Sequence, residues 1–116
     1  MPKTLDKNTF ALTGSWTIGA ERSMPMTGAT LSYNFDAGEV FLVMRPKTLG
    51  VTGMMNVYLD GTLLTTQNAG DDTKGGTVKI NGDRLYKLIK LKTPGPHILK
   101  LEFLDNNIEL YAFTFG

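Results

Sequence analysis

Thr30-Leu31-Ser32-Tyr33-Asn34-Phe35 places apolar side chains at its odd positions and polar ones at its even positions. A helix repeats every 3.6 residues and a strand every two, so this alternation predicts a strand with one face buried and the other wet. A little further on, Val40-Phe41-Leu42-Val43-Met44 is apolar throughout and rich in β-favouring types. That run predicts a central strand covered on both sides, or one whose outward face is itself covered.

The same period recurs outward from this centre. Met55 to Leu59 leads into Asp60-Gly61 and then Thr62 to Leu64. An Asp-Gly pair between apolar strands is the strongest short hairpin signal, because a tight turn needs residues that tolerate positive φ. Thr77 to Ile80 and Arg84 to Leu91 flank Asn81-Gly82-Asp83, a second turn. Pro94-Gly95-Pro96 is expected to break the ladder before His97 to Phe103, and Asp105-Asn106-Asn107 turns the chain into Ile108 to Phe115. Gln67 to Gly76 reads as a solvated loop. With Phe10 to Leu12 and Ser15 to Ile18, about nine or ten strands are expected, more than a seven-stranded immunoglobulin-like fold requires. The predicted architecture is an all-β, antiparallel, jelly-roll-like β-sandwich over 10–116, preceded by a leader or linker at 1–9.

Composition agrees with one domain. The chain has 116 residues, 41% hydrophobic and 20% charged, enough to close a single core. Twelve Lys and Arg against eleven Asp and Glu give a net charge of +1, which is no footprint for nucleic acid. Lys87, Lys90 and Lys92 read as a solvated strand face. Cysteine is absent, which removes disulfides, thiolate metal sites and thiol chemistry. The longest apolar run is far short of a membrane span and Met1 to Asn8 lacks a signal-peptide core, so no direct membrane insertion is expected.

Catalytic chemistry is poorly supplied. His97 is the single histidine and follows Pro96 at a strand start, where it reads as an edge residue. No carboxylate pair stands out for glycosidase chemistry. Asp71 and Asp72 lack the ordered spacing of a calcium loop. The chain is therefore expected to be no enzyme and to carry no cofactor or metal.

Binding residues are better supplied. Sugar recognition combines a flat aromatic ring with charged or amide groups that bond to hydroxyls. Trp16, the only tryptophan, is such a platform or else a core plug. Arg84 and Tyr86 alternate onto one strand face, so they point together into a groove or form a structural contact at the sheet edge. Glu21, beside Arg22, is placed to bond a hydroxyl or to pair with Arg84. Tyr58, beside Asn56 in the polar register, is a second exposed ring, whereas Tyr111 among Phe113 and Phe115 reads as core. Met24, Met26, Met54 and Met55 supply either an adaptable apolar surface or gap filling.

Several pieces occur in a distinctive order: Thr13-Gly14-Ser15-Trp16-Thr17-Ile18-Gly19 with Glu21, Glu39 to Val43, Val57-Tyr58-Leu59-Asp60-Gly61, Arg84-Leu85-Tyr86, and Tyr111-Ala112-Phe113-Thr114-Phe115-Gly116. Together they resemble the C-terminal domain of DipZ-type thiol-disulfide oxidoreductases, with the closing segment the most distinctive. The resemblance implies a carbohydrate-binding-module-like sandwich appended to a membrane portion and a thioredoxin-like domain that holds the reactive cysteine pair. It implies a periplasmic or otherwise extracytoplasmic location. The family's thiol chemistry finds no residue here to receive it. The expected function is that of a non-catalytic accessory domain binding carbohydrate; the alternative is a protein-interaction domain that positions the thioredoxin-like domain or its substrates. Trp16, Glu21, Tyr58, Arg84 and Tyr86 are the expected ligand-binding residues.

Overall fold

The computed structural model describes residues 10–18 and 22–116, with Phe10 and Ile18 described by their backbone alone. The leader expected at 1–9 and the candidate Glu21 lie outside the described residues. The described strands are β1 (Phe10–Thr13), β2 (Trp16–Ile18), β3 (Ser23–Pro25), β4 (Thr30–Arg45), β5 (Gly53–Leu59), β6 (Thr62–Leu63), β7 (Thr73–Lys74), β8 (Thr77–Ile80), β9 (Arg84–Phe103) and β10 (Glu109–Phe115), with no helix among the described residues. All strand pairs are antiparallel, in the order β2-β3-β10-β4-β9-β5-β8-β7, with β1 joined to β4 and β6 to β5.

Two strands are much longer than the local pattern predicts. Thr30 to Phe35 and Val40 to Met44 are halves of one 16-residue strand, β4. Arg84 to Leu91 and His97 to Phe103 are halves of the 20-residue β9. Pro94-Gly95-Pro96 does not end the strand, contrary to expectation. It does accompany an interruption in pairing: Ala37 faces Gly95 while Glu39 faces Lys90, so residues 91–94 pass without a β4 partner. The irregularities beside Gly38 and Val40 also exchange the faces of β4. Leu31, Tyr33 and Phe35 are buried at odd positions before them, and Val40, Leu42 and Met44 at even positions after them. A bulge shifts side-chain parity by one residue, so both halves turn their apolar side inward.

The two long strands thereby pass through both layers of a sandwich. One layer is built from β1, the first half of β4, the second half of β9, β5, β8 and β7; the other from β2, β3, β10, the second half of β4 and the first half of β9. Their inner faces meet in one core. Leu99, Leu101, Phe103, Met55, Val57, Val78 and Ile80 face Leu42, Met44, Tyr86, Leu88 and Ile89, all essentially without solvent contact. Each such aliphatic or aromatic side chain contributes roughly 1.5–3 kcal/mol relative to exposure. Rings cross between the layers: Trp16 stands edge-on to Phe103 at 5.4 Å, and Tyr33 stacks on Phe115 at 5.1 Å.

The expected Asp60-Gly61 hairpin is present. Asp60 has φ +51° and Gly61 φ +86°, both left-handed, and Leu59 pairs with Thr62 across them. The stretch Gln67 to Gly76 is not simply a solvated loop. Gly70 N–H donates to the Leu88 carbonyl at 3.0 Å, Ala69 bridges Ile89, and Thr73–Lys74 forms β7 against β8. The segment lies on the flank of β9 and satisfies backbone groups that would otherwise be an open edge.

Candidate functional site

Inward-facing Met55, Val57 and Leu101 leave Asn56, Tyr58, Lys100 and Glu102 on the opposite, outer face of their layer. Strand register then brings them together, because Asn56 faces Glu102 and Tyr58 faces Lys100 across β5 and β9. The Tyr58 hydroxyl donates to Glu102 Oε1 at 3.0 Å and Asn56 Nδ2 donates to the same oxygen at 3.1 Å. Thr77 Oγ1 donates to Asn56 Oδ1 at 2.8 Å, and Lys100 Nζ lies 5.4 Å from the Tyr58 ring centroid. The hydrogen bond to Glu102, partial desolvation and the carboxylate's negative charge hold the Tyr58 phenol above its ordinary pKa, against a smaller opposing effect of Asn56. One half-buried ring thus sits among a carboxylate, an amide, a hydroxyl and an ammonium, all on one sheet face.

Arg84 and Tyr86 do share a strand face, and they are engaged with each other. The guanidinium lies 4.0 Å over the Tyr86 ring and bonds Asp72 Oδ1 at 2.9 Å. Tyr86 has no exposed surface. Its hydroxyl accepts from the Asn81 and Gly82 N–H groups at 3.1 Å each and donates to the Gly82 carbonyl at 2.7 Å, which pins the turn before β9. Burial on its own would raise the Asp72 carboxyl. The hydrogen bonds from Arg84 and the Lys87 N–H, with the charges of Arg84 and Lys87, outweigh that and hold it below the ordinary carboxylate range. Arg84 therefore has a carboxylate partner in Asp72.

Trp16 is half-buried on β2, with Nε1 donating to the Thr13 carbonyl at 3.0 Å. It borders a cleft of about 550 Å³ between the layers, whose walls include Leu12, Leu31, Tyr33, Tyr111 and Phe115. Tyr111 is accordingly a half-buried cleft residue at the β10 bulge and not part of the closed core. The contacts of Trp16, of Tyr58 and of the Arg84–Tyr86 pair have no residue in common, so these candidates occupy three separate places.

Glu102 and Lys100 were missed in the sequence, where they are ordinary polar positions of an alternating strand. Glu109 was missed as well: it is buried and ion-paired to Arg22 Nε at 3.3 Å and Arg45 Nε at 3.5 Å. His97 bonds Asp60 Oδ2 through Nδ1 at 2.6 Å, tying the hairpin turn to β9. Among the described residues no group of three or more His, Cys, Asp or Glu side chains is placed to hold a metal ion. The methionines do not form one surface, since Met55 is fully buried and Met26 is 46% exposed.

A family model described as "Thioredoxin like C-terminal domain" matches residues 1–116. No curated protein matches the chain in sequence. Among solved structures, a family two carbohydrate esterase from Clostridium thermocellum in complex with cellohexaose superposes with a TM-score of 0.70 at 16% identity, over 93% of this chain and 31% of that one. The family two carbohydrate esterase from Cellvibrio japonicus gives 0.71 at 14% identity, over 91% of this chain and 30% of that one. CsCBM6-3 from Clostridium stercorarium in complex with cellobiose gives 0.60 at 16% identity, over 91% of this chain and 86% of that one. The chain spans about a third of the esterases' length, and the shared feature is the β-sandwich of carbohydrate-binding-module type.

Proposed function

Because the chain belongs to the family of thioredoxin-like C-terminal domains, we propose that it is a non-catalytic accessory domain of an extracytoplasmic thiol-disulfide oxidoreductase and that it binds carbohydrate. The observation that carries this is the outer-face cluster of Tyr58 with Glu102, Asn56 and Lys100. A pyranose presents an apolar face of C–H groups and a rim of hydroxyls. The Tyr58 ring suits the first; the Glu102 and Asn56 oxygens accept from the second, and the Lys100 ammonium donates to it. The ligand class draws support from solved structures that share the β-sandwich, since the Clostridium thermocellum esterase is in complex with cellohexaose and CsCBM6-3 is in complex with cellobiose. Of the residues singled out from sequence, Tyr58 is central to this site. Arg84 and Tyr86 serve the turn and the Asp72 segment, and Trp16 borders the interlayer cleft.

The test is a glycan-array screen of the folded chain followed by calorimetric titration of any hit. Tyr58→Ala should weaken binding by at least about tenfold, or ~1.4 kcal/mol, while Arg84→Ala leaves it unchanged. A blank array, or binding indifferent to Tyr58→Ala, overturns the proposal.

A second reading, docking of the thioredoxin-like domain, draws support from the outer face of the other layer. Leu85, Val43 and Ala112 lie in register across β9, β4 and β10, and Leu85 is 40% exposed. A thioredoxin-like domain supplied in trans should then shift the amide resonances of these residues, and Leu85→Glu should abolish the shifts. A spectrum unchanged on mixing removes this reading.

A further inference from the structure

We infer that the cleft between the layers is a second binding site, for an uncharged planar aromatic molecule. Its volume of about 550 Å³ lies within the range of small-molecule sites, about 300–1,000 Å³. No charged side chain lines it among the described residues. An ionised ligand would lose its hydration there without gaining a counter-charge. Its polar side chains are Trp16, Ser23, Tyr33 and Tyr111, a minority of the lining. Trp16 Nε1 is already bonded to the Thr13 carbonyl, and the Tyr111 hydroxyl lies 3.5 Å from Glu109 Oε1. A sugar would leave most of its hydroxyls unbonded on such walls, which sets this cleft apart from the Tyr58 face.

Shape selects further. The walls come from the inner faces of two opposed layers, about 10 Å apart in sandwiches of this kind, so the space between them is a slot. Tyr33 and Phe115 on opposite walls are within 17° of parallel. A flat ring entering beside them continues an offset stack and displaces water that has few partners to leave behind.

The protein carries its own reporter, since Trp16 is the sole tryptophan and borders the cleft. Titration with N-phenyl-1-naphthylamine, an uncharged probe with a flat naphthalene ring that absorbs where tryptophan emits, should quench Trp16 and sensitise the probe with saturation at one equivalent. Leu12 is 44% exposed at the cleft, so Leu12→Lys should weaken the transfer at least about tenfold while circular dichroism stays unchanged. Tyr111→Lys, a second lysine at the rim beside Glu109, should do the same, and either folded variant suffices. Tyr58→Ala and added cello-oligosaccharide should leave the transfer intact. Absence of saturable transfer, transfer that survives the lysine variants, or transfer lost with Tyr58→Ala overturns the inference. None of these outcomes depends on whether the Tyr58 face binds sugar.

Discussion

The Arg84 guanidinium lies 4.0 Å above the ring of Tyr86, and that ring has no exposed surface of its own. One end of Arg84 meets Asp72 Oδ1, whose other oxygen accepts from the Lys87 N–H at 2.7 Å. The pair is a clasp that holds the 69–74 segment to the start of β9, and its consequences are measurable.

Tyr86→Phe keeps the ring and deletes the hydroxyl, leaving the Asn81 and Gly82 N–H groups without that acceptor and the Gly82 carbonyl without that donor. The expected loss is about 1–3 kcal/mol of unfolding free energy, read from the urea midpoint at unchanged slope. Carbohydrate binding should be unaffected.

Asp72 contributes a pH dependence of known sign. Its folded pKa lies below its unfolded one, so the folded state binds its proton less readily. The stabilisation is complete above the unfolded value, about 4, and is lost as pH falls through the folded value. Thermal melts between neutral and acid pH should show Asp72→Asn losing less melting temperature on acidification than the parent. Equal losses in both would contradict the assignment.

Glu102→Gln removes the carboxylate that raises the Tyr58 phenol. Spectrophotometric titration should find one tyrosine of the parent ionising above its ordinary value of about 10, and that tyrosine should move down in the variant. The same substitution should weaken carbohydrate binding several-fold, since a neutral amide accepts less strongly than a carboxylate.

Gly70→Ala tests whether the 69–74 segment is packed on β9. An added Cβ would clash with the Lys87 carbonyl oxygen, a backbone atom that cannot swing aside. Destabilisation of about 1–3 kcal/mol is expected in chemical denaturation. Gly61→Asn, at a turn position with φ +86° and open space around it, should cost far less.

Much of the layer architecture was legible because a strand declares itself locally. The alternation at Leu31, Tyr33 and Phe35 needs only neighbouring residues to read, and Asp60-Gly61 announces its turn by the dihedrals those residues tolerate. The joining of Thr30–Phe35 to Val40–Met44 was not legible, because a bulge resets the parity between them and looks in sequence like an ending. The candidate site divides in the same way. Tyr58 was identified from its place in the polar register, but its companions Glu102 and Lys100 lie more than forty residues away and reach it only through pairing.

By itself the sequence determined an all-β chain of about nine or ten strands, the tight turn at 60–61, the lack of thiol chemistry, and the family through the ordered set that ends in Tyr111 to Gly116. Tertiary structure alone decided that Tyr86 is buried beneath Arg84, that Asp72 is the acid that meets Arg84, and that Glu102 stands between Asn56 and Tyr58. The division is physical. A strand's period and a turn's dihedrals are set by residues adjacent in the chain, whereas burial and side-chain partnership depend on which distant strands lie side by side and in what register, and one residue of slip would turn every side chain to the other face.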